Sequence, residues 1–143
     1  MKTPDIVLDT NVIIAALRSK RGASSKLLSL VGTHKFEIHD SVALILEYED
    51  VIQRQRTELG LSQDDVSDFI DSLCSMTHHH QIYFLWRPTL SDVSDELVLE
   101  LAVTAGCEYI VTHNVSDFKN IGKFGIQAIT PKEFLQIIRE VKE

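Results

Sequence analysis

Short apolar runs alternate with helix-patterned segments along almost the whole chain, and this alternation strongly constrains the fold. The first run, Ile6 to Leu8, consists of branched apolar residues and is typical of a strand buried on both faces. Helical periodicity is clearest over residues 42–55. The other predicted strands are Phe36–His39, Ile82–Leu85, Glu108–Thr112 and Ile126–Ile129. Strands that alternate with helices predict an α/β fold, with a parallel sheet covered by helices on both faces.

Boundary residues support several of these elements. Ser24 or Ser25 is a candidate cap for a helix that Gly32 closes. Asp40-Ser41 predicts the start of the long helix. Complete capping patterns occur at two later helix starts, Ser62 with Asp65 and Thr130-Pro131 with Glu133.

The totals fit one ordinary domain, which we expect to span residues 1–143, with 44% hydrophobic residues to build a core. The apolar runs are too short to cross a bilayer, and an Asp interrupts the amino-terminal segment before a signal-peptide core can form. We therefore expect a cytoplasmic protein that is not bound to a membrane. In that compartment Cys74 and Cys107 should be reduced residues of the core.

The net charge of −7 argues against a protein that binds nucleic acid through a broad basic face. If nucleic acid is the substrate, divalent cations at an acidic centre or local basic clusters must offset the repulsion. Two such clusters exist, although ordinary solvated surface charge is the favoured interpretation of each single residue in them. One cluster consists of Arg18, Lys20 and Arg21, and the other consists of Arg54 and Arg56.

Three adjacent histidines, His78 to His80, suggest a metal site at first sight. Neighbouring side chains on an extended chain point to opposite faces, however, and do not converge easily on one ion. We therefore expect a structural or surface role for them.

Carboxylates occur where such a fold brings separate segments together. Asp9 follows the first strand, Asp117 follows the fourth, and Asp95 opens the helix before the fourth. If the first and fourth strands are neighbours, these three side chains face one crevice at the carboxyl edge of the sheet. Glu47 joins them if the long helix turns it inward. The alternative for Asp9 is that it only caps the helix that follows it.

Four carboxylates in one crevice repel one another. Two unit charges about 4 Å apart cost roughly 4 kcal/mol at an intermediate dielectric. A hard cation removes this penalty because Mg²⁺ and Mn²⁺ prefer carboxylate oxygens and water. Without the ion, the carboxylates should take up protons as a group.

These segments resemble the ordered acidic motifs of the PIN-domain family. The similar segments are Asp9-Thr10-Asn11 after an apolar strand, Glu47 in LEYEDV, Asp95 before ELVLELA, and VTHNVSDF around Asp117. The closing segment, ITPKEFL, resembles the end of the subfamily described as toxins of toxin-antitoxin systems. The similarity covers nearly the whole chain.

The resemblance implies a three-layer α/β/α fold with a five-stranded parallel sheet of order 3-2-1-4-5, and a metal-dependent endoribonuclease. It also implies a cytoplasmic toxin that acts on RNA with Mg²⁺ or Mn²⁺, forms a homodimer and is held silent by an antitoxin protein. Carried over by position, the acidic ligands are Asp9, Glu47, Asp95 and Asp117. Asn11 and Thr112 would arrange the site.

One position departs from the family pattern. Many members have an Asp where this chain has Asn114, so the fourth carboxylate is transferred to Asp117. Asn114 would offer the metal a neutral oxygen, which favours a single tightly bound ion. Asp92 is interpreted as the cap of the helix that presents Asp95.

Two other functions fit parts of the pattern. A phosphatase with Asp9 as nucleophile is disfavoured because the haloacid-type site needs a second Asp at position 11, which is Asn. A catalytically weak PIN fold that binds RNA or protein is favoured by Asn114 and by the acidic net charge. Metal affinity distinguishes the last alternative from an active enzyme.

Overall fold

The fold is taken from a computed structural model of the chain, which describes residues 3–82 and 92–139. Part of the predicted third strand, residues 83–85, and the predicted loop at 87–90 lie outside this range.

Strands and helices alternate through the described residues, as the sequence pattern predicts. The strands are β1 (Asp5–Leu8), β2 (Glu37–Ser41), β3 (His78–His80), β4 (Tyr109–Val111) and β5 (Gln127–Ile129). The α-helices are α1 (Thr10–Arg18), α2 (Ala23–Ser29), α3 (Val42–Arg54), α4 (Arg56–Leu59), α5 (Gln63–Cys74), α6 (Val93–Ala105) and α7 (Pro131–Ile137). Two 3₁₀ turns, Val115–Phe118 and Ile121–Phe124, lie between β4 and β5 and were not predicted.

The five strands form one parallel sheet of order β3-β2-β1-β4-β5, which confirms the predicted strand order. In its centre, Ile6 of β1 pairs with Ile38 of β2 on one side and with Tyr109 of β4 on the other. Helices cover the sheet in a three-layer α/β/α arrangement. β1 therefore ends at the middle of the sheet edge, where ligands bind in open α/β folds.

The predicted third strand is placed wrongly. The strand consists of the three histidines, and Ile82 follows it outside regular structure. β3 pairs with β2 in the register His39 to His78, Asp40 to His79 and Ser41 to His80. Polar partners on β2, described below, stabilise this strand in place of apolar alternation.

The core lies on both faces of the sheet, and its central helix on one face is α6, which packs against β1, β2, β3 and β4. α6 is apolar around much of its circumference, as expected for a helix buried against a sheet. Its last turn ends at Gly106, which adopts the left-handed conformation usual after a helix. Fully buried members of the core include Ile6, Leu8, Leu44, Tyr48, Leu101, Ile110 and Phe134.

The predicted caps are largely confirmed. Ser41 caps α3, and Ser62 with Asp65 forms a capping box at α5. Thr130 with Glu133 forms the same arrangement at α7. The exception is α2, which is capped by Gly22 at its start and by Leu30 at its end, two residues before the predicted stop at Gly32. Ser24 is instead buried inside that helix, where its Oγ lies 2.8 Å from His113 Nε2.

Cys74 and Cys107 are both free thiols, and Cys107 is buried. Burial raises the pKa of the Cys107 thiol to about 12, so this side chain is an inert member of the core. Within residues 3–82 and 92–139, none of the helices combines the length and apolar character that crossing a membrane requires.

Candidate active site

Asp9 lies where β1 passes into α1, and only 7% of its surface is exposed. One carboxylate oxygen, Oδ1, accepts a hydrogen bond of 2.8 Å from the Thr10 backbone N–H, so Asp9 is the cap of α1. The other oxygen, Oδ2, accepts from the Thr112 hydroxyl at 2.8 Å and from the Asn11 amide at 3.3 Å. Asp9 therefore does cap α1, and because Oδ2 is not used for capping, this does not exclude a place in the site.

Thr112 and Asn11 connect the end of β4 to the start of α1. The Thr112 hydroxyl is fully buried, donates to Asp9 and accepts from Asn11 Nδ2 at 3.3 Å and from the Asn114 backbone N–H at 3.0 Å. Asn11 Oδ1 accepts from the His113 backbone N–H at 3.1 Å. These bonds use the full capacity of the hydroxyl and fix the Asp9 carboxylate relative to the turn after β4.

Glu47 reaches the same place from α3. The neighbouring side chain, Tyr48, is buried, and its hydroxyl donates to the carbonyl oxygen of Leu8 at the end of β1. This contact fixes α3 against the strand that leads to Asp9. Glu47 Oε2 then accepts a hydrogen bond of 2.6 Å from the Thr10 hydroxyl.

Two further carboxylates come from the other side. Asp95 is the third residue of α6. The cap of this helix is Asp92, as predicted, and its side chain accepts a 2.7 Å hydrogen bond from the Ser94 N–H. Asp117 lies in the 3₁₀ turn Val115–Phe118 after β4, and Asn114 directly precedes that turn. Both Asp117 and Asn114 are exposed to solvent.

The carboxylates and asparagines described above line one groove of about 430 Å³. Thr112 lies beneath it and acts through its bond to Asp9. The groove therefore brings together the four carboxylates and both asparagines that the sequence analysis selected. Its acidic half is lined by Asp9, Asn11, Glu47, Asp92, Asp95, Asn114 and Asp117.

Burial and the neighbouring carboxylates raise the pKa values of Asp9 and Asp95. Burial raises the pKa of Asp9, and the charges of Glu47 and Asp117 raise it further, against the hydrogen bonds from Thr112 and Thr10 that lower it. The pKa of Asp95 is raised to about 7, first by burial and then by the charges of the neighbouring carboxylates, Asp9 foremost. The metal-free groove thus holds protons near neutral pH, which a cation would displace.

The donor set suits a hard divalent cation. Its ligand atoms are carboxylate and amide oxygens, which Mg²⁺ and Mn²⁺ prefer. Among residues 3–82 and 92–139, no three His, Cys, Asp or Glu side chains form a ready-made metal-ligand cluster. An ion in this groove would therefore keep several water ligands, which is the usual habit of Mg²⁺ in proteins.

Eight residues that line the groove were not assigned to the site from sequence: Thr10, Ile14, Ala15, Arg18, Val51, Gln55, Asp92 and Ser94. Asp92 lines the groove as well as capping α6. Arg18 and Gln55 line its far end, and Arg18 Nη2 donates a 2.6 Å hydrogen bond to Gln55 Oε1. Each of these last two lies two helical turns beyond a groove residue, Thr10 or Glu47, but helical spacing alone does not show that α1 and α3 lie side by side.

Comparison with known proteins identifies the family. A family model described as the PIN domain matches residues 5–116, which include Asp9, Glu47 and Asp95 and end one residue before Asp117. None of the curated proteins matches the chain. Because the match spans most of the 143 residues and the sheet has the expected strand order, the chain belongs to the PIN domain family.

Proposed function

We propose that this groove binds Mg²⁺ or Mn²⁺ and hydrolyses phosphodiester bonds of RNA as an endoribonuclease. PIN domains are generally metal-dependent nucleases. The observation that carries the proposal is that four carboxylates from four separate segments converge on one groove. They are Asp9, Glu47, Asp95 and Asp117.

In the proposed reaction some residues of the site hold the ion and others orient the ligands. Asp9, Glu47, Asp95 and Asp117 would hold the ion, and Asn114 would add a neutral oxygen. The bound ion would activate a water for attack on phosphorus and stabilise the leaving oxygen. Thr112 and Asn11 keep the Asp9 carboxylate oriented, which limits the reorganisation needed at each turnover.

The acidic groove requires a cation before RNA can approach. Near neutral pH the four carboxylates would repel a phosphodiester, and the protons held by Asp95 only partly relieve that charge. A divalent ion offsets the charge, and Arg18 supplies a positive group at the far end of the groove. Metal binding and RNA binding should therefore be coupled.

The biological setting of the proposed activity rests on the resemblance of the closing segment to PIN-family toxins. We propose that the chain forms one domain over residues 1–143 and acts in the cytoplasm as the toxin of a toxin-antitoxin pair. In this proposal the active form is a homodimer that a small antitoxin protein silences. Light scattering on the purified protein should give twice the mass of the 16.2 kDa chain.

A second function is a PIN fold that binds RNA or protein without turnover. Asn114 favours it, because this position is an Asp in many PIN-domain proteins and an amide gives a cation less charge to bind. The incomplete ligand cluster among the described residues is consistent with the same alternative.

Cleavage of RNA in the presence of metal tests the proposal. Purified protein is incubated with a mixed-sequence single-stranded RNA and Mg²⁺ or Mn²⁺, with EDTA and Asp9→Asn as negative controls. Asp50→Asn is the matched control, because Asp50 is an exposed partner of Arg54 outside the groove. Metal-dependent cuts with 5′-phosphate and 3′-hydroxyl ends, present in Asp50→Asn and absent in Asp9→Asn, would support the enzyme. Binding of RNA without cleavage under any metal would favour the second function.

A further inference from the structure

The groove continues beyond the carboxylates between α1 and α3. Thr10 bonds to Glu47 at the acidic end, and Arg18 bonds to Gln55 at the other end. Arg18 lies eight residues after Thr10, and Gln55 lies eight residues after Glu47. At about 1.5 Å per helical residue the two bonds are roughly 12 Å apart, so α1 and α3 run side by side along the groove.

The space between these two bonds is apolar. Ile14 and Ala15 of α1 and Val51 of α3 line it. Ile14 lies one helical turn beyond Thr10, and Val51 lies one turn beyond Glu47, so both occupy the middle of the groove. A ligand that only presented phosphate groups would gain nothing from such a floor. The apolar floor instead suits the flat face of a nucleobase, because removing that face from water costs little free energy.

The polar groups at the Arg18–Gln55 end of the groove are mainly hydrogen-bond donors. A guanidinium has donors only, so the acceptor in the Arg18 contact must be the oxygen of the Gln55 amide. This leaves the Gln55 NH₂ group and the other N–H groups of Arg18 to meet a ligand. Among the residues that the structure describes, neither side chain makes another side-chain hydrogen bond.

A surface with many donors and few acceptors favours a base edge with two acceptors. Guanine presents two adjacent acceptors, N7 and O6, which Arg contacts more often than any other base edge. Adenine presents N7 beside an N6 amino group, which faces the donors of Arg18 and Gln55 and has only the remaining lone pair of Gln55 Oε1 as an acceptor. We propose that the Arg18–Gln55 end of the groove binds a guanine base of single-stranded RNA close to the scissile phosphate. This assignment rests on the proposed ribonuclease function.

The Gln55 side chain can be changed with little risk to the fold. Gln55 stands between α3 and α4, and its side chain forms no capping hydrogen bond there. Arg18 is exposed at the end of α1, and Ser19 closes that helix through its backbone. Arg54 and Gln53 are matched controls on α3, since neither lines the groove.

Equilibrium binding of short RNAs tests the inference. Fluorescein-labelled oligouridine carrying one central guanine, adenine, 7-deazaguanine or abasic residue is titrated with the Asp9→Asn protein, so that no RNA is cleaved, and Mg²⁺ is raised until it saturates the weakened metal site. We expect the guanine oligomer to bind about 5- to 100-fold more tightly than the adenine one, the range of one bidentate base contact. 7-Deazaguanine, which lacks N7, should bind less tightly than guanine.

Variants of Arg18 and Gln55 in the same background should remove the preference. Gln55→Ala and Arg18→Gln should reduce the ratio of guanine to adenine affinity to near one, whereas Gln53→Ala and Arg54→Gln should leave it unchanged. Gln55→Glu still accepts from Arg18 but turns the remaining donor into an acceptor, so its ratio should fall to one or below.

Two results would overturn the inference. Equal binding of the guanine and abasic oligomers would mean that Arg18 contacts a phosphate. A guanine preference that persists in Gln55→Ala and Arg18→Gln would mean that the base binds elsewhere. The proposed function stands or falls separately, because metal-dependent cleavage by the unmutated protein does not depend on base preference.

Discussion

The two oxygens of the Asp9 carboxylate have different surroundings, and only one of them caps a helix. Oδ1 caps α1, and Oδ2 is held by Thr112 and Asn11 at the edge of the groove. Capping alone would be satisfied by Ser, Thr or Asn. A buried carboxylate beside three others is a costly cap, because burial and the neighbouring charges raise its pKa. The proposed cation binding would explain the choice of Asp.

Asp9→Asn separates these two roles. Asn caps helices about as well as Asp, and it removes one charge from the crowded groove. We expect the metal-free variant to equal or exceed the unmutated protein in free energy of unfolding, by up to about 1 kcal/mol. Asp9→Ala, which loses the cap, should be less stable by roughly 1 kcal/mol.

Urea unfolding in EDTA at neutral pH measures both variants. A loss of several kcal/mol in Asp9→Asn would show that the ionised carboxylate itself stabilises the fold, and that Asp9 is primarily structural.

β3 shows how an edge strand can form from polar residues. Each of its histidines meets a polar side chain on or next to β2. His78 Nε2 lies 2.9 Å from Glu37, His79 Nδ1 lies 2.5 Å from Asp40, and His80 Nε2 lies 2.7 Å from His39 Nδ1. The other nitrogen of His39 faces Asp5 at 2.9 Å. Charged and polar edge strands resist pairing with other chains, so this composition also protects the sheet.

His79 should make stability depend on pH. Asp40 is only 1% exposed and accepts hydrogen bonds from His79 and Thr77. The bond to Asp40 raises the pKa of His79 above 6.5. The bond between protonated His79 and Asp40 therefore stabilises the folded state fully below pH 6.5, the ordinary pKa of His. This stabilisation is lost as the pH rises through the raised pKa of His79 in the folded state. His79→Gln should therefore destabilise the protein more in acid than in alkali, by at most about 1 kcal/mol because the ring is 53% exposed.

Urea unfolding of His79→Gln on both sides of this transition checks the sign. His34→Gln is a control for a histidine whose ring is 85% exposed. His80→Gln should show the opposite trend, since burial lowers the pKa of His80 and its neutral form is the one that suits the fold. An equal loss at both pH values for His79→Gln would mean that the Asp40 contact does not depend on the charge of His79.

At the scale of the whole molecule, the sequence was sufficient to predict those elements that are specified by local residue patterns. Apolar runs located β1 and β4, and capping residues located the starts of α3, α5 and α7. β3 was misplaced because its stability comes from side-chain contacts with β2, which a search for apolar alternation does not detect. Likewise, Gly22 replaced Ser24 as a cap because Ser24 is used in a distant contact with His113.

The acidic part of the groove was predictable because strand ends and helix starts fix where Asp9 and Asp95 lie. The Arg18–Gln55 end was not, because it depends on α1 and α3 lying side by side. No local pattern specifies which two helices of an α/β fold become neighbours with their residues in register. Structure was needed to show that a donor surface lies beyond the carboxylates.

The four carboxylates should behave as one cation-binding group, and a Mn²⁺ titration followed by electron paramagnetic resonance of the free ion measures this. We predict saturable binding that weakens at least about tenfold, or 1.4 kcal/mol, in both Asp9→Asn and Asp117→Asn. Binding in Asp50→Asn, which changes the same charge outside the groove, should equal that of the unmutated protein. Absence of saturable binding, or affinity unchanged in Asp9→Asn, would contradict a metal-dependent site in this groove.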